Sequence, residues 1–312
     1  MEEEAAFFVW KGKCSRPFCQ IPSRLRYQIV RQVGEGSAVV YQARTNEVGL
    51  PQMVALKATT VERALNEAHI LASLQHPSIP RFYELVVDDL QAFVVMEYIE
   101  GETLTQYLDA YLAQGALPPM QQALSMGIQL CAVLDYLHMR QPSITFRDVK
   151  PENVMLSADR HLFLIDFDIA CPHLALEDTD FPVAGTPGYI APELLAGIPS
   201  FSPLSDVYGL GATLFHLLTG HRPPMDMREA AQDPAFGRLP LPLRQELMWM
   251  TERDPHRRPV DMRMVRAVLE RELLSLRVKN KWVNRLIPLK QSLSALARPA
   301  LQLVGSVSLA RG

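Results

Sequence analysis

Cysteine is scarce in this 312-residue chain, and its four thiols (Cys14, Cys19, Cys131 and Cys171) do not form the dense framework that staples a small secreted domain. Cys14 and Cys19 make half a zinc site at most. Four ligands are needed and no further Cys or His lies near them, so free thiols are expected. An excess of one charge is lacking as well. The formal net charge is −3, which gives no electrostatic reason to seek nucleic acid or an acidic surface as partner, and no nucleic acid is expected. No apolar run reaches the roughly 18 residues of a spanning helix. The start, MEEEAAFFVW, is acidic where a secretory signal is basic. Internal repeats and low-complexity segments are missing too. These absences leave a globular protein of a reducing compartment, with the cytoplasm as the expected location.

Acidic residues are missing from the end of the chain. Between Leu273 and Gly312 there are seven Lys or Arg and no Asp or Glu, so tail and body differ in sign. In that stretch Val278, Trp282, Leu286, Leu289, Leu293 and Leu296 recur at steps of three and four, while Arg277, Lys281 and Arg285 line another face. The spacing predicts a basic amphipathic helix, bent or broken at Pro288. Docking of its apolar stripe on the body of the chain or on a partner is the expectation. The alternative is an anionic membrane surface with Trp282 at the headgroups, which would make the protein peripheral to a membrane.

What is present is a hydrophobic content of 48%, enough for a sizeable core. Residues 27–57 are rich in Val, Tyr and Ile with Gly, Asn and Pro at intervals, which predicts three antiparallel strands. Thr59-Thr60-Val61-Glu62 reads as a capping box opening a helix that runs to about Gln75, before His76-Pro77. Residues 81–89 and 91–99 predict two more strands. From Thr103 the pattern is mainly helical, with GIQLCAVLDYLH the clearest amphipathic run, broken by the strand-like NVMLS and LFLIDF. The fold class is α+β, a small β-rich lobe followed by a larger helical one. The expected divisions are an extension at 1–26, lobes at 27–98 and 99–272, and the tail at 273–312.

Several residues carry chemistry. Gly34-Glu35-Gly36 lies between strands, where glycine lets backbone N–H groups approach phosphates; the strand that follows it argues against a dinucleotide-binding turn, which needs a helix there. In VALK, alternation puts Val54 and Leu56 on one face and Ala55 and Lys57 on the other, so Lys57 points inward and needs an anion. Glu67 shares a helix face with Ala64, Leu71 and Leu74 and can meet it. The densest signal is Phe146-Arg147-Asp148-Val149-Lys150-Pro151-Glu152-Asn153, followed by Asp166-Phe167-Asp168. Two carboxylates, Asp148 and Asp166, and the amide of Asn153 are the hard oxygen ligands and hydroxyl-orienting group that phosphoryl transfer requires.

In these motifs the chain resembles the eukaryotic-type Ser/Thr protein kinase family over roughly residues 27–272. The resemblance implies a bilobal fold, with ATP and Mg²⁺ (or Mn²⁺) as cofactors and a protein bearing Ser or Thr as substrate. It assigns Gly34 and Gly36 to the loop over the phosphates and Lys57, paired to Glu67, to the α/β-phosphates. Asp148 becomes the catalytic base, Lys150 the neutraliser of the γ-phosphate, and Asn153 and Asp166 the metal ligands. Met96-Glu97-Tyr98-Ile99 resembles the hinge, with Met96 as gatekeeper and the backbone of Glu97 and Ile99 reading adenine; Val40, Ala55 and Met155 sandwich the base and Glu102 reaches the ribose. GTPGYIAPE (185–193) resembles the substrate-docking loop. SDVYGLG (205–211), which contains Asp206, resembles the buried helix anchoring the catalytic loop, and Arg258 is the partner of Glu193. Lys150 together with Thr186 is the Ser/Thr rather than the tyrosine pattern.

Three departures stand out. The glycine loop, GEGSAVVY, is one residue short and lacks its third glycine, which predicts a looser grip on phosphates. Phe146 replaces the usual His and is expected to stack with Phe167, Leu71 and Phe82. Asp168 stands where glycine normally follows Asp166-Phe167, and is expected to restrict that segment and add a carboxylate beside the metal site. Thr179 is the candidate regulatory phosphosite, with Arg147 as the phosphate's partner. Lys57→Met is expected to stop transfer and leave the fold intact. The alternative function is a pseudokinase, a nucleotide-binding or regulatory module of the same fold, although Lys57, Glu67, Asp148, Asn153 and Asp166 are all present.

Overall fold

A computed structural model describes residues 27–35, 38–87, 91–172, 185–196 and 202–279. Cys14, Cys19, Gly36, Thr179 and the stretch from 280 to 312 with Trp282 lie outside the described residues.

Strands β1 (Tyr27–Glu35), β2 (Val39–Thr45) and β3 (Met53–Thr59) form the predicted antiparallel run. With β4 (Phe82–Val87) and β5 (Ala92–Glu97) they make a five-stranded sheet in the order β1-β2-β3-β5-β4. Both faces of its middle are covered. Val54, Leu56 and Ala58 pack outward with Tyr27, Phe93 and Val95, whereas Ala55, Val94 and Met96 join the main core. The period-2 alternation of β3 is thus legible as two apolar clusters with Lys57 on the core side.

Between β3 and β4 lies α1 (Val61–Ala72). Its cap is one residue later than the sequence suggests: Thr60 is the N-cap and accepts from the N–H of Arg63, so no box with Glu62 forms. The helix also stops at Ala72, short of Gln75, where the Ser73 N–H and hydroxyl turn back on the carbonyl of Ile70. Ala64, Glu67, Ala68, Ile70 and Leu71 form its buried face.

The larger part is helical. A strand that the residue pattern did not announce, β6 (Gly101–Thr103), pairs with β8 (Val154–Ser157), which pairs with β9 (Leu162–Leu164). Thr103 and Gln106 form a reciprocal capping box that starts α2 (Leu104–Leu112). Helix α3 (Met120–His138) contains the amphipathic run. A short pair, β7 (Ile144–Thr145) with β10 (Cys171–Pro172), brackets the stretch from Phe146 to Ala170.

After α4 (Pro192–Leu195), helix α5 (Leu204–Thr219) is buried from Ser205 to Thr219, which suits its all-round apolar composition. Gly209 permits its position: a Cβ there would come to 3.0 Å from Cβ of Val149 and 3.2 Å from the Val149 carbonyl oxygen, so only a bare backbone lets α5 lie against the segment around Val149. The chain continues through α6 (Pro234–Gly237), α7 (Leu241–Met250) and α8 (residues 262–279). On α7, Glu246 is 5% exposed and its Oε1 has no hydrogen-bond partner among the described residues. Among the described residues no helix is long and apolar enough to cross a membrane.

Candidate active site

The inward lysine meets two carboxylates. Lys57 Nζ lies 2.7 Å from Glu67 Oε2 and also donates to Asp166 Oδ1, with side-chain exposures of 5% for Lys57 and 0% for Glu67. Burial alone would lower the lysine pKa, but the charges of Glu67, Asp166 and Asp168 more than offset it and hold the ammonium well above its ordinary value. Burial pushes Glu67 up, against the pull of Lys57; for Asp166 the lysine wins over burial and holds the carboxyl below its usual range. This geometry overturns one expectation. Lys57 is part of a buried charge cluster, so Lys57→Met would strand Glu67 without a counter-charge and weaken the fold.

The segment from Phe146 to Asn153 hangs from Asp206. Its carboxylate, on the first turn of α5, accepts from the N–H of Phe146 at 2.9 Å and of Arg147 at 2.7 Å, and meets His138 Nε2 at 2.8 Å. Arg147 has a φ of 73°, a left-handed backbone that costs a residue with a Cβ of order 1–3 kcal/mol, and two buried hydrogen bonds oppose that cost. Its guanidinium is buried, near Cys171 and Asp206. Asp148 is fixed from both sides: Asn153 Nδ2 donates to its carboxylate at 2.9 Å and to its carbonyl at 3.0 Å, and Lys150 Nζ lies 2.5 Å from Oδ2. Lys150 also donates to Thr186 Oγ1 at 2.7 Å, whose hydroxyl donates to Asp148 Oδ1 at 3.2 Å. The residues assigned to base, γ-phosphate and docking loop therefore converge.

Phe146 and Phe167 stack edge to face with centroids 5.1 Å apart, in one core with Leu71 and with Phe82 packed against it. In the sheet, Gly34 pairs with Val40, Val40 with Lys57 and Ala55 with Met96, which aligns the residues expected to hold a nucleotide across four strands. The N–H of Glu97 is committed to the carbonyl of Arg81 at 2.8 Å. Ile99 is buried, and β6 sets Glu102 opposite Leu156 and Thr103 opposite Met155. Later in the chain, Arg258 grips Glu193 through two bonds of 2.7 Å, donates to the carbonyls of Leu204 and Glu252, and lies over the Tyr208 ring.

Asp168 requires a correction. The left-handed residue of its segment is Asp166, with φ of 70°, and Asp168 is not among the positive-φ residues described. Asp168 therefore fits without the strain that a glycine position would impose. Its carboxyl feels the Asp166 charge and also points to α1, where Arg63 Nη1 is 3.4 Å away. Burial first, and the Asp166 charge second, raise its pKa. The sequence reading missed Asn66, whose amide donates to the carbonyls of Asp168 at 3.0 Å and Ala170 at 3.2 Å. The available signal was its position next to Glu67 on a helix already assigned to the site.

A family model described as the protein kinase domain matches residues 27–267. The chain is 35% identical over 212 residues to serine/threonine-protein kinase PrkC of Bacillus subtilis (strain 168), a match covering 64% of this chain and 31% of the relative. It is 35% identical over 217 residues to serine/threonine-protein kinase PknB of Mycobacterium leprae (strain TN), covering 64% and 33%. With cAMP-dependent protein kinase type 3 of Saccharomyces cerevisiae (strain ATCC 204508 / S288c) it shares 32% over 205 residues, covering 63% and 49%. The chain thus spans less than half the length of each of these curated relatives.

Proposed function

The chain belongs to the protein kinase family, and on that premise we propose that it is an ATP-dependent serine/threonine protein kinase that moves the γ-phosphoryl group to a Ser or Thr hydroxyl of a protein. The observation that carries this reading is the meeting at Lys57, where Glu67 from α1 and Asp166 from the segment after β9 converge on one ammonium. Residues 27–98 and 99–272 act as two lobes closing on the nucleotide between them. Kinase domains use ATP with a divalent metal, and Mg²⁺ is the ion we assign, with Mn²⁺ able to replace it. The donor set fits. Asn153 spends its Nδ2 on Asp148, which turns its Oδ1 the other way, and Asp166 adds a carboxylate; two hard protein oxygens completed by phosphates and water suit Mg²⁺. When bound, the cation neutralises charge on the β- and γ-oxygens.

The protein's own groups do the rest. Lys57 exchanges its bond to Asp166 for the α/β-phosphate oxygens, which frees that carboxylate for the metal. Asp148 takes the proton of the acceptor hydroxyl as its oxygen bonds to the γ-phosphorus and the bond to the β-phosphate oxygen breaks, leaving ADP. Lys150, already between Asp148 and Thr186, faces the transferred group. Gly34, Gly36, Val40, Ala55, Met96, Glu97, Ile99, Glu102 and Met155 hold the nucleotide in this reading. The site of action is the cytoplasm. Radiolabelled ATP with a generic protein substrate tests the proposal: Asp148→Asn should lower transfer by roughly 10²–10⁴-fold. Equal labelling by the variant, or none by wild type, would overturn it.

A further inference from the structure

Helix α1 touches the segment after β9 at three places that share one helix face. Arg63, Asn66 and Glu67 stand at spacings of three and four, and all three reach residues 166–170. Glu67 Oε1 accepts from the N–H of Phe167 at 3.1 Å, Asn66 donates to the carbonyls of Asp168 and Ala170, and Arg63 meets the Asp168 carboxylate. The contacts differ in weight. Arg63 is 46% exposed and 3.4 Å away, so water screens its pair. Asn66 is half-buried and places one amide hydrogen on each of two backbone carbonyls.

Those carbonyls belong to the turn closed by the N–H of Ala170 on the carbonyl of Phe167. Holding both prevents the peptide after Asp168 from rotating, and so fixes the chain that leads out of Asp166. Asp166 needs such support. Its φ of 70° is a strained backbone that persists only where the surroundings over-determine it. On its C-terminal side the supports described are the Glu67 bond to Phe167 and the two Asn66 bonds beyond it.

We propose that Asn66 is a positioning residue for the metal-binding carboxylate: it clips the turn after Asp166 to α1, so that the Lys57–Glu67 pair and Asp166 keep one mutual geometry when nucleotide and metal arrive. The proposal rests on the kinase reading for the identity of the ligand, MgATP. It gives Asn66 a role in metal-dependent affinity and not in nucleotide binding as such, because its amide holds the backbone of the turn after Asp166.

Isothermal titration of ATP into the full chain, with excess EDTA and with Mg²⁺, measures the gain in affinity that the metal brings. Asn66→Asp, which keeps the shape and loses both donors, should reduce that gain by roughly tenfold, the worth of about one buried hydrogen bond. Metal-free affinity should stay within about twofold. Asn66→Gln, which keeps the donors, should recover most of the gain. In transfer assays Asn66→Asp should raise the Mg²⁺ concentration for half-maximal rate with the KM for protein substrate unchanged. An unaltered metal gain in Asn66→Asp with an active wild type sinks the clip alone. A metal gain that is present in wild type and lost in the variant, with no transfer by either, sinks the kinase reading and leaves the clip. Equal losses of metal-free and metal-bound affinity would make Asn66 merely structural and overturn the proposal, as would a wild type without any metal gain.

Discussion

Replacing Glu246 with Gln should stabilise the protein by an amount that grows as pH rises from about 5 to 8. Glu246 is buried on α7, and burial pushes its carboxyl from an ordinary 4.5 up to about 7, with Arg271 pulling weakly the other way. Cys131, on α3, also feels the Glu246 charge; burial holds its thiol well above its ordinary value, so it carries no charge in the range considered. A raised acid binds its proton more tightly folded than unfolded. Stability is therefore lost as pH rises from 4.5, and the loss is complete once pH exceeds the folded value of about 7. The shift converts to about 3 kcal/mol at pH 8, about 2 at pH 6 and under about 1 at pH 5. Gln carries no charge and escapes this cost. Thermal melting of both proteins from pH 5 to 8 should show a gap that widens with pH, reaching roughly 6–12 °C at the top of the range. A gap independent of pH, or a Gln variant that melts lower than wild type at pH 8, would refute the claim that Glu246 is forced to ionise in an apolar site.

Other perturbations bear on the site and the tail. Lys57→Met should abolish transfer and also cost about 3–5 kcal/mol of stability by leaving Glu67 buried without its counter-charge; adding Glu67→Gln should restore melting temperature and not activity, and an unchanged melting point for the single variant would contradict the buried-pair argument. Asp206→Asn should cost about 2–4 kcal/mol and most of kcat, because an amide nitrogen must face the N–H of Phe146 or of Arg147; full activity at wild-type stability would mean the catalytic segment does not hang from this carboxylate. Deleting residues 280–312 should lower thermal stability if the basic tail docks on the body, whereas flotation of the intact chain with anionic vesicles, lost on deletion and sensitive to salt, would establish the membrane alternative.

What could be read in advance was what local chemistry dictates. The sheet was legible because Val54, Leu56 and Lys57 obey a two-residue period, and the site because Lys57, Asp148, Asn153 and Asp166 are residue types that phosphate and metal demand. Details of one residue were not. Two adjacent threonines precede α1, and nothing local tells Thr59 from Thr60 as the cap. The three-residue β6 exists through its pairing with β8, more than 50 residues along the chain, so its own sequence carries little signal.

The deepest omission concerns backbone strain. Among the described residues three without glycine's freedom take positive φ: Arg160, in the turn between β8 and β9, and Arg147 and Asp166 at the site. Local preference argues against both site residues, since neither position is glycine. Each is held by a buried carboxylate far away in sequence: Asp206, 59 residues from Arg147, takes its N–H, and Glu67, 100 residues from Phe167, takes the N–H that follows Asp166. The same two carboxylates thus fix the backbone at two points of the site, one before Asp148 and one after Asp166. A sequence shows that such acids exist, but their effect on φ depends on a fold already formed. Strain at the two site residues and the distant acids that oppose it are therefore one feature of the tertiary structure, and a substitution at either acid should be felt first as a misdirected Asp148 or Asp166 carboxylate.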